Sequence, residues 1–299
     1  MFGENHCHII LDGSNYKAAV ARHSAGVDEN WIKYVFEKYK SAGISFLRDG
    51  GDKAGVSAKA KTIASEFGID YRTPVFAIYK KGNYGSILGK PFESETDFIA
   101  LVKDAESQGT DFIKIMATGI LDFACYGKIS EGALSLSELK MITHICHSEG
   151  LSVMSHTNGA ENVLNALESG VDSLEHGFYL NDEAITALSE TGAVWVPTLT
   201  ACKNLLNENA AAIHGFDREV VKKISDLHES NIKKALNAGC FVALGSDAGA
   251  YGVKHVCGVK NEYEYFCRFY DKPDLDRKLL SAQEKISEKF KRKNNWEEI

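Results

Sequence analysis

Short runs rich in Val, Ile and Phe recur along this chain, each followed by a loop and then a longer stretch with helical spacing. The strand candidates are His6–Ile10, Ile44–Asp49, Thr73–Tyr79, Phe112–Met116, Ser152–His156, Ser173–His176, Val194–Thr198 and Phe241–Asp247. Short apolar runs of this kind suit strands buried on both faces. Between them, Leu136–Ser148, Gly159–Ser169, Asp182–Glu190 and Glu219–Asn237 repeat apolar residues at helical intervals. Gly150, Gly170, Gly192 and Gly239 stand where a left-handed C-cap would end a helix. Alternating strands and helices call for parallel strands joined by right-handed crossovers. Eight such units in 299 residues average about 37 residues each, the scale of an α/β chain closed into a (β/α)8 TIM-like barrel. An open doubly wound sheet would show a Gly-rich turn after its first strand, and HCHIILDG is not one. With no low-complexity stretch and only four prolines, the sequence offers no linker, so residues 1–299 read as one domain.

The charge balance narrows the partners. A formal net charge of -7 leaves no basic surface to track phosphates, which argues against nucleic acid. No run of about 18 apolar residues could span a bilayer, and MFGENHCHIILDG lacks the pattern of a signal peptide. Seven scattered cysteines with no CxxC pair fit reduced thiols, so the expected setting is cytoplasmic. A small molecule is the expected partner, and a homo-oligomer is left open.

The residues that could carry chemistry fall at strand ends. His6 and His8 form an H-x-H pair, and residues two apart on a strand face the same way. His156, His176 and Asp247 each end a candidate strand, and Lys114 sits inside the apolar run FIKIM. In a parallel barrel the C-terminal rim of the strands is where active sites are built. A charge inside an apolar strand is costly unless it is paired or bound to a metal. Taken alone, Lys114 could be an ion-paired lysine, His156 a satisfied core histidine, and His6 and His8 exposed terminal residues. Six such residues falling together at matched strand ends favour one site.

The order of these motifs resembles the amidohydrolase superfamily, in particular its imidazolonepropionase-related and prolidase-like branch. HCHI resembles its first-strand motif, FLRDGG its second-strand Arg-Asp element and DFIKIMATG its fourth-strand lysine motif. Residues 134–199, and ALGSDAG followed by His255 and Glu262, are similar to the remainder. The resemblance implies that His6, His8 and Asp247 bind one divalent ion, and that His156 and His176 bind a second. It implies further that Lys114 is carbamylated and bridges the two, most simply two zinc ions. The implied activity is hydrolysis of an amide, cyclic amide or dipeptide-like C–N bond by a metal-activated hydroxide, with Asp247 shuttling the proton. Arg48, Tyr126 and His255 are candidate substrate contacts, although Arg48 with Asp49 could equally form a structural pair. His23, His144, His147, His214 and His228 are read as surface or packing residues.

Two departures qualify the resemblance. The H-x-H begins at residue 6, and the segment from about residue 274 is charged and helical, so the flanking β-sandwich of relatives is expected to be missing. That would leave the barrel base, and the hold on His6 and His8, dependent on some other cover. Three alternatives stay open: a mononuclear enzyme with Lys114 unmodified, a lactonase, and a catalytically idle relative that binds a metal or ligand. Specificity is expected from the loops Ile120–Gly132 and Ala201–Asp217.

Overall fold

A computed structural model describes residues 2–130, 132–206 and 215–292. Ten parallel strands are present: β1 Glu4–Cys7, β2 Phe46–Asp49, β3 Asp70–Arg72, β4 Ala77–Lys80, β5 Gly89–Phe92, β6 Ile113–Met116, β7 Val153–Thr157, β8 Ser173–His176, β9 Val194–Val196 and β10 Phe241–Val242. They form one ladder in the order β1-β2-β3 and another in the order β10-β9-β8-β7-β6-β4-β5. Hydrogen bonds join the two ladders on both sides. On one side β1 lies along the chain that continues β10: Asn5 N donates to Leu244 O, Asp247 N to His6 O, and His8 N to Ala248 O. On the other, β3 pairs with β2 while β4 pairs with β6, and only residues 73–76 separate them. The third barrel strand is therefore one strand broken in the middle. The result is the TIM-like barrel that the alternation predicts.

Several boundaries differ from the sequence reading. Of Phe241–Asp247 only Phe241–Val242 pairs as a strand, with Asp247 on the chain that continues it, and Val194–Thr198 ends at Val196, where Thr198 takes a φ of 51°. Thr73–Tyr79 is not a single strand, because Pro74 has no N–H to give a ladder and Val75 takes a φ of 65°. β1 sits two residues earlier than His6–Ile10, because Asp49 Oδ2 accepts the Ile9 amide and ends the ladder there. β5 is an additional strand outside the barrel, unmarked in the sequence because GKPF has no apolar run. The helices fall where the periodicity puts them: Leu136–Ser148, Ala160–Ser169, Asp182–Thr191 and Arg218–Ala238. Gly170, Gly192 and Gly239 cap the last three in the left-handed conformation.

The base of the barrel is closed by the chain itself. The helix Leu275–Lys289 lays Ala282 and Ile286 against Phe112, Met154, Val194, Val196 and Ala243, with Phe290 completing the cluster. Gln283 Oε1 on this helix accepts from Gly3 N at 3.1 Å and Asn5 Nδ2 at 2.7 Å, tying down the start of β1. The charged tail therefore supplies the cover that the sequence left open. Among the described residues, no helix is long and apolar enough to cross a membrane.

Candidate metal centre and active site

Five strands bring the six ligand-type side chains to one place. The donor atoms of His6, His8 and Asp247 all lie within 4.8 Å of one another. His6 stands with its ring centroid 4.8 Å from that of His176, and His176 lies 4.4 Å from His156. Lys114, on β6 and 1% exposed, points its Nζ into this group without a hydrogen-bond partner. A buried ammonium with no partner is costly, so the site fits a group not drawn from the protein.

The environment keeps the imidazoles of His6, His156 and His176 neutral and aimed. Glu175 Oε2 accepts from His6 Nδ1 at 2.6 Å, which leaves Nε2 facing Asp247 Oδ1 at 3.6 Å. His8 Nε2 lies 3.3 Å from the same oxygen. Thr198 Oγ1 takes His176 Nδ1 at 2.8 Å, and Gly119 O takes His156 Nε2 at 3.2 Å. Each of these three rings thus spends one nitrogen on a neighbour, the kind of arrangement that orients metal-binding histidines. Burial lowers His6 to about 4 and His156 to about 3, with Lys114 adding to both, and burial takes His176 well below its ordinary value. Burial also lowers Lys114 to about 8. For Asp247, burial pushes upward, but the His8 contact and the charges of His6, His8 and Lys114 hold it well below the usual carboxylate range.

Local backbone geometry serves the same end. His176, Thr198 and Asp247 have φ values of 67°, 51° and 61°, a left-handed conformation that costs non-glycine residues about 1 kcal/mol or more. Such strain at strand ends is typical of functional sites. Gly50, at the end of β2, is required for space: a Cβ there would lie 2.3 Å from His8 Cε1.

Three expected substrate contacts lie elsewhere. Arg48 is wholly buried, and its guanidinium donates to Asn5 O, Ser173 Oγ and Glu175 Oε1, each at 2.8 Å. It therefore positions Glu175 and, through it, His6. Its partner is not Asp49, which instead accepts from Ile9 N, Gly51 N and Ser57 Oγ. His255 is held between Leu11 O at 2.9 Å and Tyr39 Oη at 3.2 Å, away from the cavity lining. Tyr126 is 47% exposed and packs edge-on against Tyr179 rather than facing the cavity. His147 pairs with Asp172 at 2.9 Å, and His228 stacks on Phe178 at 3.9 Å, both as packing residues. His214, like part of the loop Ala201–Asp217 and the chain beyond residue 292, lies outside the described residues.

Sequence reasoning missed four contributors. Glu175 stands one residue before His176 in the strand SLEH, and the signal that could have found it is a carboxylate inside a short buried strand. Burial would raise it, but Arg48 and His6 outweigh that and hold it at about 2. Glu4 anchors β1 by accepting from Ser246 N at 2.8 Å and Ser246 Oγ at 2.5 Å, and burial raises it to about 8. Thr198 had no sequence signal. Tyr84, from the loop after the broken third strand, sets its ring 5.3 Å from His156 and lines the cavity.

The six ligand-type side chains border a cavity of about 360 Å3. The comparisons with known proteins agree with this architecture. A family model described as Amidohydrolase family matches residues 35–271, and the chain belongs to that family. Ochratoxinase of Aspergillus niger is 29% identical over 154 residues, covering 48% of this chain and 30% of that one. An uncharacterized protein of Mycobacterium tuberculosis is 27% identical over 163 residues, covering 53% and 42%. The matches thus span less than half the length of these curated relatives. A solved Xaa-Pro dipeptidase with bound methionine superposes with a TM-score of 0.75 at 22% identity, covering 97% of this chain and 74% of that one, a likeness of fold.

Proposed function

We propose that the protein is a metal-dependent hydrolase that cleaves an amide or related C–N bond of a small molecule, using a hydroxide activated by bound divalent ions. The observation that carries this reading is the convergence of five ligand-type side chains, four histidines and Asp247, on the buried Lys114 amine that has no protein partner. The names of the similar proteins, ochratoxinase and Xaa-Pro dipeptidase, favour a hydrolase, and the second favours an amide bond.

His6, His8 and Asp247 would hold one ion, and His156 and His176 a second. Lys114, carbamylated by carbon dioxide, would give each ion an anionic oxygen. Imidazole with carboxylate-type oxygen suits zinc. When bound, such ions lower the pKa of a water and polarise a carbonyl. The remaining work falls to the chain. Asp247, kept ionised, accepts the proton of the attacking water and passes it to the leaving nitrogen. Glu175 and Thr198 hold His6 and His176 in the tautomer that presents Nε2. Residues 1–299 would act as one barrel domain, and seven free cysteines support a reducing, cytoplasmic setting.

The test is metal analysis of the purified protein together with hydrolysis of an amide, lactone and dipeptide panel. About two ions per chain, fewer in Lys114→Ala, and amide turnover abolished by Asp247→Asn are expected. About one ion per chain would favour the mononuclear alternative, and preferred lactone turnover a lactonase. No turnover by metal-replete protein would leave a binding relative.

A further inference from the structure

The cavity walls differ in kind from its floor. Apart from Lys114 and Asp247 on the floor, no Asp, Glu, Lys or Arg lines the cavity among the described residues. The walls are mostly aromatic and aliphatic, Tyr84, Met116 and Phe178 among them, with Asn158 the one side-chain amide among the described lining residues. At the mouth stand Tyr16, Ile87 and Ile120, which are 50%, 41% and 43% exposed. They are three of the six large hydrophobic side chains exposed among the described residues, and they come from two loops and the first turn of the helix Tyr16–Ala21. Single exposed apolar residues need no explanation, but their convergence on one opening marks a binding surface.

A free dipeptide would fit such walls badly. It carries an ammonium and a carboxylate within a few bonds of its scissile amide, and both would have to leave water. Burying either charge without a partner costs several kcal/mol, and among the described residues the walls supply no Lys or Arg for the carboxylate. Apolar groups gain instead, by about threefold to fourfold in binding for each methylene buried.

We propose that the site takes neutral amides with an apolar group in the cavity and a second apolar portion lying across the Tyr16–Ile87–Ile120 rim, and that it selects against free dipeptides. The proposal rests on the hydrolase reading for turnover but not for binding. Its test compares 4-nitroanilides of acetic, butyric, hexanoic and octanoic acid with Ala-Pro and Phe-Phe, using the full-length, zinc-loaded protein. kcat/KM should rise at least tenfold from the acetyl to the octanoyl compound, and the dipeptides should be turned over at least tenfold more slowly than the octanoyl anilide. Ile87→Ser with Ile120→Ser should reduce the octanoyl-to-acetyl ratio severalfold. A flat series, or dipeptides preferred over anilides, would overturn the proposal.

Calorimetric binding of the same compounds to Asp247→Asn protein separates the two readings. Chain-length-dependent binding with no turnover by the parent protein would sink the hydrolase but support the apolar site. Binding that ignores chain length would sink the apolar site even if hydrolysis is found.

Discussion

The two ends of the barrel are built on opposite terms. At the base, the guanidinium of Arg48 donates to three different acceptors and lies over the Phe290 ring at 4.5 Å, while Gln283 ties β1 to the last helix. At the mouth, Lys114 Nζ and His8 Nδ1 are buried without partners, and His176 and Asp247 hold strained backbones. The base ties its charged groups to protein partners, whereas the mouth leaves a buried amine without one. The consequence for mutation is that mouth and base should fail differently.

The largest effect is expected at the mouth. Asp247→Asn should lower kcat by about 10^3-fold or more, the scale of losing a general acid–base, while thermal unfolding stays unchanged or shifts upward. A clear loss of stability in that variant would erase the proposed division. At the base, Phe290→Ala should cost about 3–5 kcal/mol in denaturant unfolding, because it empties a fully buried aromatic site. A cost under about 1 kcal/mol would show that the helix is not the seal.

The wall between the two ends offers a pH test. His228 is buried behind Phe178, and burial lowers it to about 4 from an ordinary 6.5. Below pH 6.5 the unfolded chain takes up a proton that the native ring refuses until about pH 4. Its contribution is therefore complete above pH 6.5 and is lost as pH falls toward 4, about 3 kcal/mol in all. Unfolding free energies measured from pH 7 to 4 should slope less in His228→Phe, and equal slopes would contradict the assignment. Glu175→Gln connects the two ends and should weaken metal retention by about 10- to 100-fold in chelator competition. The smallest effect is expected for Gln283→Ala, about 1 kcal/mol of stability from its hydrogen bonds.

What the sequence could show divides along the same line. The six ligand-type residues were legible because each breaks an apolar run at a matched place. The roles of their supporters were not. Arg48 and Glu175 meet from strands 127 residues apart, and only closure of the barrel shows that they satisfy each other rather than a ligand. The third strand was misread because its pairing changes partner at Thr73–Phe76, and a linear pattern does not record which neighbour a strand pairs with. The C-terminal helix was legible as a helix, but its cover of the base depends on Phe290 meeting Phe112 across the fold.

The Gly3–Gln283 hydrogen bond spans 280 positions. During synthesis, the segment carrying His6 and His8 leaves the ribosome long before Asp247 or Gln283 exists. Closure cannot be a local event, and folding dominated by such distant pairings is slow. Until the last helix emerges, a nascent chain exposes an open ladder edge, which makes assistance from chaperones most valuable late in translation.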